Sequence, residues 1–148
     1  MMSKKIEKII KKKNKKKIVC LTAYSKNIAK ILDKYCDITL VGDSLANVLY
    51  GMENTHKVSL DLMIQHSVSV KRGIKHSLFV VDMPKGSYTT PFKAKKNAIL
   101  IKKKTGCDAV KIESNKKNFK VIKEIKKVGI PVMGHIGFTP QFKKKFKV

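Results

Sequence analysis

The chain has 148 residues, 34 basic against 10 acidic, a formal net charge of +24 and 43% apolar residues. That length and apolar content suit one domain with a real core and exclude global disorder. The positive charge raises nucleic acid or an anionic surface as a partner, but Arg72 is the only arginine and lysines spread through every segment. Nucleic acid is therefore disfavoured, and a lysine-rich decoration of solvated faces is the plainer reading.

Ile6, Ile9 and Ile10 have helical spacing in a basic N-terminal segment, residues 1–16, which reads as a short amphipathic helix and linker. Its apolar run is too short for a signal peptide, and no stretch is long enough for a membrane span. Residues 17–23 form a predicted first strand. Residues 25–35 follow as a helix, with Ser25 as N-cap and Ile28, Ile31, Leu32 and Tyr35 on its buried face. A second strand, "ITLVG", leads to Asp43, and residues 44–58 read as a long loop. A helix over 59–72 begins at Ser59 and stops at Gly73. "SLFVVD" is the third strand. Thr90 and Pro91 open another helix, which Gly106 ends. "AVKIE" is the fourth strand. The helix after it buries Phe119, Ile122, Ile125 and Val128 and stops at Gly129, before the fifth strand, "PVMGH".

Strands that are apolar on both faces and alternate with helices imply a parallel sheet covered by helices. An open doubly wound sheet and part of a (β/α)₈ barrel both fit. In either, function gathers at the carboxyl ends of the strands. Asp43, Asp82, Glu113 and His135 stand at those ends. Converging carboxylates repel unless a cation relieves them, and all-oxygen donors favour magnesium. Such an ion could hold a 2-oxo acid and stabilise its enolate. Lys111, two residues before Glu113, shares its strand face and could neutralise oxyanion charge. Ser44 read alone is a turn cap, and His135 fits a structural or a functional role equally. His56, His66 and His76 receive no role. Cys20, Cys36 and Cys107 lack metal or disulfide spacing and fit reduced thiols in the cytoplasm.

"LTAYS", "VGDSLANVLYG", "VVDMPKGSY", "AVKIES" and "GIPVMGHIGFTPQ", in order from about residue 18 to residue 141, resemble the ketopantoate hydroxymethyltransferase family. The resemblance implies a (β/α)₈ barrel of the phosphoenolpyruvate/pyruvate-binding type. It implies transfer of a hydroxymethyl group from 5,10-methylenetetrahydrofolate to 3-methyl-2-oxobutanoate, giving 2-dehydropantoate in pantothenate biosynthesis. Asp43, Asp82 and Glu113 match the family's magnesium ligands. Asp43, Ser44, Asp82 and Lys111 match its substrate contacts, and His135 lies in its GHxGxTPQ segment. A homo-oligomer, with a decamer as the candidate state, is implied for the intact enzyme. Ala46, Asn47, His56, Lys57 and Lys85 depart from the family's usual residues, and none is a proposed ligand. The family's general base, a glutamate, comes from a later strand and has no match here. Residues 17–148 thus read as the first five βα units of a truncated barrel, whose activity is in question. The competing expectations are another magnesium-dependent 2-oxo-acid lyase or mutase on the same barrel, a basic nucleic-acid-binding module, or an inert remnant.

Overall fold

The computed structural model describes residues 3–115 and 118–142. Five parallel strands form one sheet in the order β1-β2-β3-β4-β5. They are β1 (Cys20–Thr22), β2 (Ile38–Val41), β3 (Leu78–Asp82), β4 (Ala109–Glu113) and β5 (Val132–His135). A doubly wound sheet reverses its strand order at a switch point, whereas a barrel adds each strand beside the last. The observed order is the barrel's, which resolves the alternative left open by the sequence. Among the described residues six α-helices accompany the strands: α1 (Lys4–Lys12), α2 (Lys26–Leu32), α3 (Leu45–Tyr50), α4 (Leu60–Lys71), α5 (Pro91–Thr105) and α6 (Phe119–Lys127).

Strand alternation divides the core in two. Val41, Phe79, Val81, Val110 and Ile112 face the helices and belong to the main cluster. Ile38, Leu78, Val80 and Ala109 face the other way, with Ile6 and Ile9 of α1 packed against them. That second face is apolar at the foot of the sheet and becomes polar toward Asp82, Lys111 and Glu113. Among the described residues, β1 and β5 each pair on one side only. Leu21 and Ile136 beside those edges are correspondingly exposed. The three cysteines are free, and no described helix is long and apolar enough to cross a membrane.

Three sequence expectations need correction. Residues 44–58 contain α3 and a 3₁₀ turn, Thr55–Lys57. The buried face of α2 is set by Ala29 with half-buried Leu32, while Ile28, Ile31 and Tyr35 are exposed. The reason is close packing. A Cβ on Gly73 would stand 2.4 Å from the Lys26 carbonyl and 2.9 Å from the Ala29 Cβ, so small residues, not large ones, join α2 to α4. In α6, Ile125 is buried and Ile122 and Val128 are half-buried against the same core, as expected, with Val121 buried beside them; Phe119 is the exception. Phe119 precedes Val121 by two residues, about 200° round the helix at about 100° per residue and so on its far side, and is exposed.

Asp33 ties the turn before β3 to the end of α2. Its carboxylate accepts from the backbone N–H groups of Lys75, His76 and Ser77, at 2.8–3.1 Å, and from the Ser77 hydroxyl at 2.7 Å. Burial pushes this carboxyl up, but the hydrogen bonds outweigh it and bring it down to about 2. A depressed folded value stabilises the fold above the unfolded value of about 3.9, and that contribution fades as pH falls toward 2. Urea titrations across pH should show a loss of about 2 kcal/mol from this group between about pH 5 and 2. Asp33→Asn should flatten that part of the profile. An unchanged profile in the variant would remove Asp33 as its source.

Candidate functional site

The register of the sheet assembles the site. Asp82 is opposite Lys111, and Glu113 is opposite His135. Parallel neighbours lie about 4.8 Å apart, within reach of a long side chain. Lys111 Nζ accordingly donates to Asp82 Oδ1 at 2.7 Å. The backbone N–H of Asp43 donates to Asp82 Oδ2 at 3.1 Å. Gly42 leaves room for the Ser44 hydroxyl, since a Cβ there would stand 2.9 Å from Ser44 Oγ but at an ordinary 3.5 Å from Asp82 Oδ2. Ser44 Oγ is 2.8 Å from the Tyr24 hydroxyl.

Gln141 fills the space between the remaining carboxylates. Its backbone N–H donates to both oxygens of Glu113, at 3.1 and 3.0 Å. Its side-chain amide donates to Asp43 Oδ2 at 2.8 Å and to the Met83 carbonyl at 3.1 Å. The Tyr88 hydroxyl donates to the Gln141 side-chain oxygen. The 3₁₀ turn Pro140–Phe142 that carries Gln141 is held from outside by His56, whose Nε2 lies 3.1 Å from the Pro140 carbonyl. Lys85 Nζ reaches the other ring nitrogen of His56 at 3.1 Å. His66 also has structural partners, the Tyr24 carbonyl at 2.8 Å and the Tyr50 hydroxyl at 2.9 Å.

Asp43, Ser44, Asp82, Lys111 and Glu113 therefore meet at one mouth through direct contacts and through Gln141, with His135 beside Glu113 in the register. Sequence reasoning quoted the segment ending in Gln141 but gave that residue no role, nor did it single out Tyr24 or Tyr88. Gln141 carries no charge and lies 28 residues beyond Glu113. Pro140 beside it was the only local hint of a turn.

The electrostatics are unbalanced. Asp82 is 3% exposed. Burial raises its carboxyl to about 6; Lys111 opposes the shift and Asp43 adds to it. Burial also raises Glu113, against the Gln141 N–H and with the help of the Asp43 charge. His135 is held below its ordinary value by burial and by Lys111, against Asp43. Three carboxylates thus share one lysine. Among the described residues, no three His, Cys, Asp or Glu groups are already gathered for a metal. The donor chemistry still fits a hard cation. Asp82 accepts two hydrogen bonds and Asp43 one, of the roughly four each carboxylate can take. Magnesium commonly uses one or two carboxylates and completes its shell with water.

Residues 3–147 match a family model described as ketopantoate hydroxymethyltransferase. The chain is 56% identical over 146 residues to the 3-methyl-2-oxobutanoate hydroxymethyltransferase of Pelagibacter ubique, covering 99% of this chain and 57% of that protein. To the Rhizobium etli protein of the same name it is 53% identical over 130 residues, covering 87% of this chain and 48% of the relative. The chain thus spans about half the length of the curated relatives it matches. Among solved structures, a phosphonopyruvate hydrolase complex with oxalate and magnesium superposes with a TM-score of 0.72 at 9% identity, over 90% of this chain and 52% of the other. A 2,3-dimethylmalate lyase of the PEP mutase/isocitrate lyase superfamily gives 0.63 at 13% identity, over 90% and 51%. These two likenesses bear on the fold alone, and they agree with the barrel order of the strands.

Proposed function

The chain belongs to the ketopantoate hydroxymethyltransferase family, and from that premise we propose that its strand-end mouth binds magnesium and 3-methyl-2-oxobutanoate for hydroxymethyl transfer from 5,10-methylenetetrahydrofolate, giving 2-dehydropantoate. The observation that carries this reading is Asp82: buried, bonded to Lys111 at 2.7 Å and still raised to about 6. A carboxylate with more burial than its one lysine offsets favours a further positive charge.

Asp43 and Asp82 are the proposed direct ligands, with Glu113 facing the same mouth. When bound, magnesium supplies Lewis-acid polarisation of the 2-oxo group. The oxalate and magnesium of the phosphonopyruvate hydrolase complex provide a precedent for that pairing on this fold. Lys111 is placed to meet negative charge that develops on the oxo acid. Ser44, steadied by Tyr24, offers its hydroxyl to the substrate's oxygens. Gln141 orients Asp43 and Glu113 through its side-chain amide and its backbone N–H. The reaction removes a proton from C3 of the oxo acid and joins that carbon to the folate's one-carbon unit, whose carbon–nitrogen bonds break to release tetrahydrofolate while water supplies the hydroxyl oxygen. His135 is the candidate for moving a proton here, because a lowered imidazole is neutral at pH 7. A cytoplasmic homo-oligomer is part of the same reading.

Isothermal titration with magnesium and 3-methyl-2-oxobutanoate tests it. The branched acid should bind when magnesium is present and lose most of its affinity when the metal is chelated. Equal affinity with and without metal, or clear preference for oxaloacetate, would overturn the assignment. The second result would favour the 2-oxo-acid lyase reading of the same barrel.

A further inference from the structure

A cavity of about 290 Å³ opens at the foot of the sheet, at the end opposite Asp82 and Glu113, between α1 and the turns that enter β2 and β3. Five lysines line it: Lys5, Lys8 and Lys12 of α1, Lys17 before β1, and Lys34 after α2. The two carboxylates in its wall are already engaged within the fold. Asp33 accepts from residues 75–77, and Asp37 accepts from Lys12 and from the Val19 N–H. Lys5 donates to the Ser77 carbonyl at 2.8 Å and stands 3.8 Å from Asp108. Lys8, Lys17 and Lys34 have no hydrogen-bond or ion-pair partner among the described residues.

We propose that this cavity binds a compact phosphoanion of the inorganic diphosphate class. Lys8, Lys17 and Lys34 reach the rim of this cavity from separate stretches of chain as exposed ammonium groups, and an anion entering it would be attracted by all three. Lysine binds phosphate as a point charge and needs no bidentate geometry. The volume lies just below the roughly 300–1,000 Å³ of sites for drug-sized ligands, so it suits a small anion better than a whole nucleotide. Chain-wide lysine enrichment explains the number of lysines. It does not explain their convergence on one concave space whose acids are already occupied. The same chemistry could come from free diphosphate or from the phosphate end of a nucleotide.

Titration calorimetry at fixed ionic strength, with diphosphate and with ATP as separate probes, tests the site. Saturable binding of diphosphate at one site per chain is expected; tighter binding of ATP would identify the nucleotide as the source. A triple variant, Lys8→Ala, Lys17→Ala and Lys34→Ala, should weaken binding at least about tenfold. A control triple on the exposed side of α5, Lys95→Ala, Lys96→Ala and Lys103→Ala, removes the same charge and should change affinity less than about twofold. Equal losses in the two triples, no saturation, or binding only to long RNA would overturn the proposal. Should the pocket triple fail to fold, the single variant Lys34→Glu replaces it, with a loss of similar size expected and wild-type affinity counting against the site.

Discussion

Replacing Asp82 with alanine should weaken magnesium-dependent binding of 3-methyl-2-oxobutanoate by at least about 30-fold, since truncating a buried, hydrogen-bonded charged group that engages a ligand costs about 2–5 kcal/mol of binding. The magnitude follows from position. Asp82 is central in the mouth, 3% exposed, and holds both the Lys111 ammonium and the Asp43 amide. Alanine deletes a proposed metal ligand and leaves Lys111 without its acceptor in the same step. Asp61→Ala, in the first turn of α4 and solvent-exposed, is the matched control and should bind as the wild type does. Calorimetry measures affinity, and far-UV circular dichroism establishes that each variant is folded. A folded Asp82→Ala chain with wild-type affinity would remove Asp82 from the site, and with it the reason for placing magnesium there.

What could be read from the sequence, and what could not, follows from the range of the interactions involved. That Lys111 and Glu113 share a face needed only the alternation of side chains along a strand, whereas the pairing of Asp82 with Lys111 came from the register of the sheet. Only the alternation is local enough to infer. Helix starts at Ser59 and Thr90 were legible for the same reason, and each hydroxyl does accept from the third residue on. The face of α2, and the place of Phe119 on α6, were misread because apolar spacing alone cannot say which side a neighbour will cover. At α2 the answer depended on Gly73, more than 40 residues away, which allows close contact through Ala29. The short helix α3 lacks a side-chain cap at Ser44 and escaped notice, although Gly51 at φ 61° is the C-terminal signal that could have revealed it. Gln141 was beyond local inference. An uncharged side chain between two carboxylates becomes visible only once the chain has folded back over the mouth.

Phe79→Ala should lower unfolding free energy by about 3–5 kcal/mol, the usual loss for deleting a fully buried aromatic ring. Phe79 lies on β3, the middle strand of the five, and is completely buried against the helix layer. Its backbone is fixed on both sides by Asp108: the Phe79 N–H donates to Asp108 Oδ2 at 2.9 Å, and the Asp108 N–H donates to the Phe79 carbonyl at 2.8 Å. Lys71 Nζ stands 5.7 Å from the ring centroid, closing the pocket from α4. With strand and helix both anchored, the space left by the ring cannot collapse freely, which puts the cost toward the upper end of the range. Small domains have only about 5–15 kcal/mol in total, so this one substitution would remove a large share of the stability. Phe92, 78% exposed in the first turn of α5, provides the contrast, and Phe92→Ala should change stability by no more than about 0.5 kcal/mol. Urea unfolding of the three proteins measures both effects. The Phe79→Ala midpoint should fall while the slope stays constant, because the surface exposed on unfolding is nearly unchanged. A loss below about 1 kcal/mol would mean that the central strand is not packed against α4 as described. The register that joins Asp82 to Lys111 would then lose its support, because both depend on the same strand.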